Sequence, residues 1–116
     1  WHLSPRLACA RDAEWTTLTD QLGDEGVAGG KLKGKTLWRA PNTGATNGSG
    51  FSGLPGGSRN FFEGTFNALG FFGYWWSASE SGAESAWYRN LGYNNAGVNR
   101  TNYRKRNGFC VRCVRD

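Results

Sequence analysis

The spacing of apolar residues changes along the chain, from a helical period near the N-terminus to a two-residue period further on. Trp15, Leu18 and Leu22 recur at the spacing of one helix face, which predicts a helix over residues 12–23. Its first residue, an aspartate, is the predicted N-cap, and its last, a glycine, the C-terminal stop. A second, shorter helix or turn is predicted near residues 28–35, a segment whose three glycines are poor helix formers.

The middle of the chain, residues 41–70, is dominated by Pro, Gly, Asn and Ser and shows neither period. Loops longer than about 15 residues are uncommon in compact domains unless they are functional. Apolar side chains are nevertheless spaced through this segment, so we interpret it as a long loop held to the core by Phe51, Leu54, Phe61, Phe62 and Phe66.

Strand patterns follow this loop. They cover Phe71–Ser79, then Glu84–Tyr93, then Val98–Tyr103 as a hairpin partner after a turn at 94–97, and finally Phe109–Val114. In the second strand one face carries Trp87, Arg89, Leu91 and Tyr93, and the other carries Ala86, Tyr88, Asn90 and Gly92. The predicted order is a helix first, then long loops, then a meander of antiparallel strands. This order predicts an α+β fold.

Length and composition agree with one small domain over residues 1–116. The chain has 18 Gly and six Trp with a mean hydropathy of −0.61, and lacks the roughly 20 consecutive apolar residues of a membrane-spanning helix. Because it opens with Trp1 rather than Met, we expect it to be the C-terminal part of a longer protein. A signal peptide would then have been removed or would lie upstream.

The net charge of +5 is unevenly distributed. Residues 1–87 sum to −1 and residues 88–116 to +6, and the second segment also holds six of the ten Asn. Tyr, Asn and Arg together are typical of antibody paratopes, which favours a ligand-binding surface over a nucleic-acid face or a merely solvated one. The predicted surface comprises Tyr88, Asn90, Asn94, Asn95, Asn99, Thr101, Asn102, Tyr103, Arg104, Arg106 and Asn107.

Catalytic and metal-binding patterns are weak. The single histidine, His2, is next to the terminus, so a nucleophile–histidine pair would depend on a frayed end. Cys110 and Cys113 form a Cys-x-x-Cys, which can be a zinc half-site or a redox pair. A strand over the same residues is the simpler interpretation, with Cys113 on the core face as a core or disulfide cysteine and Cys110 on the surface. We therefore predict no enzyme, no metal and no cofactor.

Several blocks of the chain resemble one known family. They are Trp1-His2-Leu3, Asp12-Ala13-Glu14-Trp15, Gly29-Gly30-Lys31-Leu32-Lys33, Pro41-Asn42-Thr43-Gly44, Leu54-Pro55-Gly56-Gly57, Gly73-Tyr74-Trp75-Trp76-Ser77 and Gly108-Phe109-Cys110-Val111-Arg112-Cys113. In this order they resemble the Fibrobacter succinogenes major paralogous domain. The resemblance implies a C-type-lectin-like fold with one or two N-terminal helices, long central loops and an antiparallel sheet. It also implies a non-enzymatic domain on a bacterial cell surface, secreted, or on a phage particle, with a protein or glycan ligand.

Relatives of that fold are the variable proteins of diversity-generating retroelements, in which adenines of Asn-type codons are randomised. The segment Tyr88–Cys110 is similar in character, which suggests a diversified binding surface. The family usually has a cysteine just upstream of the first block, a position that falls before Trp1, so within this sequence Cys113 is left to pair with Cys9 or with nothing. Two alternatives stay open: a formylglycine-generating type of enzyme with Cys110 or Cys113 as the reactive thiol, and a purely structural envelope module.

Overall fold

A computed structural model describes residues 7–59, 64–111 and 113–115, which form two helices and eight strands. The first half holds β1 (Leu7–Cys9), α1 (Asp12–Gln21), α2 (Ala28–Leu32), β2 (Ser58–Arg59) and β3 (Phe66–Asn67). The second half holds β4 (Phe72–Glu80), β5 (Ser85–Gly92), β6 (Asn99–Arg104), β7 (Cys110–Val111) and β8 (Cys113–Arg115). Both predicted helices and the three long predicted strands are present, so the α+β class is confirmed.

The principal sheet has four strands in the order β6-β5-β4-β7. The predicted β5–β6 hairpin is confirmed, but β7 lies parallel to β4, so the prediction of a purely antiparallel meander is wrong. The reason is the path of the segment 105–109, which crosses the sheet from β6 and places Phe109 against Tyr74 before β7 begins. The predicted last strand is also divided, since β8 leaves this sheet and pairs antiparallel with β1.

The core lies between α1 and the principal sheet. Trp15 of α1 and Trp75 of β4 are 3% and 4% exposed, and the ring of Phe51 makes edge-on contacts with both, at 5.7 and 5.6 Å. Leu18 and Leu22 pack against the same cluster, which confirms the predicted helix face. The part of the central loop that contains Phe51 is therefore held by aromatic packing.

The N-cap of α1 differs from the prediction. Arg11 is the N-cap, and its backbone N–H donates to Oε1 of Glu14 at 2.9 Å. Asp12 is instead the first helical residue, and its carboxylate accepts hydrogen bonds from two arginines of the sheet. At the other end Gly23 has φ of 127°, which confirms the predicted glycine stop.

Helix α2 packs very closely against neighbouring backbone. A Cβ atom on Gly29 would collide with the carbonyl oxygen of Gly97, and one on Gly30 with that of Gly44. The Gly-Gly pair therefore gives up helix propensity and lets the helix approach two backbone segments closely, the turn after β5 through Gly29 and the central loop through Gly30. The helix ends at Leu32, three residues earlier than the predicted segment.

Two expectations for the central loop need correction. Phe66 and Leu54 are 73% and 47% exposed rather than held in the core. For Phe66 the reason is that it belongs to the small β2–β3 pair, where its ring faces Arg59. Phe61 and Phe62 lie outside the described residues. In the part of the chain that is described, neither helix has the length and apolar character needed to cross a bilayer.

Candidate functional site

Strand β6 is the longest element of the described chain in which every residue is exposed. All six of its residues are exposed, and it forms one edge of the principal sheet. Its sequence, Asn-Arg-Thr-Asn-Tyr-Arg, provides no aliphatic residue for burial on either face. Five of its six residues belong to the predicted binding surface: Asn99, Thr101, Asn102, Tyr103 and Arg104.

The pairing register divides these residues between two faces. Asn99, Thr101 and Tyr103 are paired with Asn90, Tyr88 and Ala86 of β5, and residues paired in this way share a face. This is the face opposite α1, which we call the outer face. It brings together five of the predicted site residues, of which Tyr88 and Asn90 are half-buried.

Four aromatic rings stand on this same side of the sheet, next to the exposed residues of β6, and we call them the aromatic cluster: Tyr74, Trp76, Tyr88 and Phe109. Phe109 is in contact with each of the other three, at centroid distances of 4.9, 4.5 and 4.8 Å. Burial, with the neighbouring Tyr88, raises the pKa of Tyr74. The sequence prediction missed Tyr74 and Phe109 as parts of this site, although the period-two pattern of β4 places Tyr74 and Trp76 on one face.

The opposite face of the hairpin is bound to α1 through one carboxylate. Nη1 of Arg89, a residue 3% exposed, donates to Oδ1 of Asp12 at 2.5 Å, and Nη2 of Arg89 donates to Oγ1 of Thr16 at 3.1 Å. Arg100 of β6 donates to the same carboxylate through Nε at 3.0 Å and Nη2 at 2.8 Å. We call these three residues the Asp12 clamp: Asp12, Arg89 and Arg100.

The electrostatics of the Asp12 clamp favour the ionised carboxylate. The hydrogen bond from Arg100 is the largest cause that lowers the pKa of Asp12, and the hydrogen bond and charge of Arg89 add to it. Arg100 also lies over the indole ring of Trp87, with its guanidinium carbon 3.6 Å from the ring centroid. The clamp thus fixes β6 to the helix and the side chain of Arg100 to the sheet.

A basic pocket lies at the C-terminal end of β6. Its volume is about 430 Å³, and it is lined by Glu84, Arg104, Lys105 and Arg106. Lys105 forms an ion pair with Glu80 at 2.8 Å and donates to the carbonyl oxygen of Ala83 at 3.1 Å. Three consecutive cations around one cavity make it suited to anionic groups.

The turn between β5 and β6 is held by a buried lysine. Lys33 is 0% exposed, and its Nζ donates to the carbonyl oxygens of Thr43, Gly92 and Asn95 at 2.8, 2.8 and 2.9 Å. Burial lowers the pKa of Lys33, whereas three acceptors match the three donors of its ammonium form. Lys33 therefore joins the central loop to the last residue of β5 and to the middle of this turn.

The structure does not bring all predicted site residues together. Asn94 and Asn95 lie in the turn at the far end of the hairpin from the basic pocket, and Oδ1 of Asn95 accepts a bond from the Gly97 N–H. Asn107 is 8% exposed, and its carbonyl oxygen accepts from Nε1 of Trp76. The prediction that Asn107 is a surface residue is therefore wrong, since the crossing segment turns inwards there.

The cysteines are distributed over three short strands. The β1–β8 register places Cys9 directly opposite Cys113, and Cys110 belongs to β7 in the other sheet. His2 lies outside the described residues. Within residues 7–59, 64–111 and 113–115 there is no group of three or more His, Cys, Asp or Glu that could hold a metal ion.

A family model described as the Fibrobacter succinogenes major domain matches residues 1–115. This match spans nearly the whole chain, so the chain belongs to that family, as the order of its sequence blocks indicated. Searches of the curated proteins and of the solved structures gave no match.

Proposed function

We propose that this chain is a non-enzymatic ligand-binding domain whose contact surface is the outer face of the β5–β6 hairpin together with the basic pocket. The observation that carries the proposal is the exposure of all six residues of β6. They are polar or aromatic side chains, and three of them, Asn99, Thr101 and Tyr103, stand on the outer face of a sheet whose other face is packed against α1.

The composition and support of this surface suit recognition. Tyr103 offers a rigid amphipathic ring, Asn99 and Thr101 offer adaptable hydrogen bonding, and Arg104 and Arg106 offer planar donor groups. The aromatic cluster packs beside these residues on the outer face, and the Asp12 clamp holds the strand from the side of α1. Binding would therefore cost little ordering of the backbone.

The finer parts of the proposal follow from the family resemblance. We propose a C-type-lectin-like display domain, exposed on a bacterial cell, secreted or carried by a phage, with a protein or glycan ligand. Diversification by a retroelement would act on Tyr88–Cys110, where five residues of β6 are exposed without a described role in the core: Asn99, Thr101, Asn102, Tyr103 and Arg104.

A ligand array with matched variants tests the binding surface. The variant Thr101→Ala/Tyr103→Ala removes two outer-face side chains, whereas Phe66→Ala removes a ring that is 73% exposed on a different strand pair. We expect the double variant to lose at least about tenfold in affinity for any captured ligand, and the control to bind like the wild type. Equal binding by all three proteins, or capture of no ligand, would contradict the proposal.

Two further experiments address the other parts. Sequencing the locus should reveal a template repeat related to codons 88–110 and an adjacent reverse transcriptase gene, and their absence would remove the retroelement from the proposal. For the non-enzymatic character, alkylation of the thiols should proceed at the rate of ordinary cysteines without oxidant consumption. A rapidly reacting, low-pKa Cys110 would instead favour the formylglycine-generating type of enzyme.

A further inference from the structure

The outer backbone edge of β6 is open in the described structure. Two backbone bonds at the ends of the strands show which residues of β5 bond to β6. They join the Lys105 N–H to the Glu84 carbonyl at 2.9 Å and the Tyr93 N–H to the Phe71 carbonyl at 2.9 Å. In an antiparallel ladder every second residue bonds to the same neighbour. Both bonds lead to the same result: the even-numbered residues of β5 form the backbone hydrogen bonds to β6.

This alternation of hydrogen-bonded residues decides which backbone groups of β6 point away from the sheet. Asn99, Thr101 and Tyr103 are opposite even-numbered residues of β5 and bond to them. The N–H and C=O groups of Arg100 and Asn102 therefore point outwards. In the part of the chain that the structure describes, no strand pairs with this edge.

Positive charge accompanies the open edge. Arg100 and Arg104 belong to the strand itself, and Lys105 and Arg106 follow it around the basic pocket. The carboxylates of Asp12 and Glu80 pair with Arg100 and Lys105. An occupant of this edge gains from carrying negative charge near the basic pocket, where three cations of the lining outnumber its one carboxylate, Glu84.

We propose that β6 binds an extended acidic peptide segment by strand addition, so that the peptide becomes a fifth strand beside β6 with its carboxylates at the basic pocket. This inference rests on the proposed function and specifies its partner. The backbone groups of Arg100 and Asn102 supply the hydrogen bonds, and the pocket supplies the charge selectivity.

The geometry favours a peptide over the two other occupants. Outward N–H and C=O groups repeat at every second residue, which is the spacing of another polypeptide strand rather than of a sugar chain. A second copy of β6 would bring the arginines of the two edges close to each other, and facing like charges are destabilising. An acidic strand satisfies both the spacing and the charge.

A pair of variants at one position tests the backbone bonds. Asn102→Pro and Asn102→Ala both remove the amide side chain, but only the proline removes the outward N–H, and proline is tolerated at the exposed side of an edge strand. The probe is a synthetic peptide of alternating Glu and Thr, about eight residues long. We expect the proline variant to bind it at least about tenfold more weakly than the alanine variant, with equal melting temperatures. Equal affinities would overturn strand addition.

Changes in the peptide test the same inference without altering the protein. N-methylation of one alternating set of residues should abolish binding, whereas methylation of the other set should be tolerated, because an added strand bonds along one side only. Equal loss with both sets would contradict the proposal. A Lys–Thr peptide should bind at least about tenfold more weakly than the Glu–Thr peptide.

The remaining outcomes separate this inference from the proposed function. Binding of a sulfated polysaccharide with the affinity of the Glu–Thr peptide, or dimerisation in size-exclusion chromatography that Asn102→Pro removes, would overturn the acidic-peptide partner. If the array finds a ligand that depends on Tyr103 but binds both Asn102 variants equally, strand addition fails and the binding domain stands. If no ligand depends on Tyr103 and the peptide does not bind, both fail.

Discussion

At the scale of the residue, Asp12 shows how one side chain can serve a purpose that local sequence does not reveal. Its position before an apolar helical period predicts an N-cap, but its carboxylate is the joint acceptor of Arg89 and Arg100, 77 and 88 residues away. Arg11 with Glu14 takes the capping position instead. Contacts at that separation depend on how the helix and sheet pack, so no spacing in the sequence indicates them.

Replacing Asp12 by Asn should destabilise the domain strongly. The change leaves the guanidinium of Arg89, which is 3% exposed, without its counter-charge. Removing one partner of a buried pair costs about 3 kcal/mol in the free energy of unfolding. Urea denaturation measures the loss, with Asp20→Asn on the exposed side of α1 as the matched control. A loss no larger than that of the control would show that the clamp does not stabilise the fold.

The clamp also predicts a pH dependence. The folded state lowers the pKa of Asp12 below 3.8, so its contribution is present above the unfolded pKa and is lost as the pH falls through the folded pKa. The melting temperature of the wild type should therefore decrease more steeply than that of Asp12→Asn as the pH falls below about 4. Parallel pH profiles for the two proteins would refute this assignment.

Lys33 is the second residue with an effect beyond its neighbours. Lys33→Met keeps most of the apolar stem but leaves three carbonyl oxygens without their donor, which should cost about 3 kcal/mol in the free energy of unfolding. Lys31→Met is the control, because Nζ of Lys31 donates to the carbonyl oxygen of Leu22 at an exposed site. Its loss should stay below about 1 kcal/mol. Similar losses in calorimetric melts would mean that the buried lysine is not special.

At the scale of the element, the sequence predicted best where a period and a burial pattern coincide. Helix α1 and the hairpin β5–β6 follow from repeated apolar or alternating positions, and five of the predicted site residues do share the outer face. The parallel strand β7 and the inward turn at Asn107 were missed, because both depend on the contact of Phe109 with rings from β4 and β5. Those rings are separated from Phe109 by too many residues for a local pattern to show.

The β1–β8 pair gives a prediction at this scale. Cys9 and Cys113 are register partners, and antiparallel partners have Cα atoms about 4.5–5.5 Å apart, within the range of a disulfide. We expect the oxidised protein to have one titratable thiol, and Cys9→Ser to raise the number to two. A Cys110→Ser variant should leave the oxidised protein with no free thiol. Three free thiols in the oxidised wild type would disprove the pairing.

At the scale of the whole molecule, the proposed binding surface and the folding core occupy different parts of one sheet. Trp15, Trp75 and Leu91 are almost fully buried on the side of α1, whereas β6 is exposed along its whole length. The uneven charge of the sequence reflects the same division, with the basic segment forming the hairpin edge and the pocket. The sequence shows that the charge is uneven, and only the strand register shows how the cations are arranged along an open edge.

The segment from Asn95 to Phe109 is held at both ends by residues outside β6. Lys33 donates to the carbonyl oxygen of Asn95, and rings of β4 and β5 pack against Phe109. Apart from Arg100, which belongs to the Asp12 clamp, substitutions at the exposed positions of β6 should therefore leave the folding equilibrium nearly unchanged. On the proposed binding surface, a lineage that alters these positions would explore new partners without passing through unfolded variants, so selection there would act on recognition. The same independence makes β6 a natural place to engineer a new specificity into this scaffold.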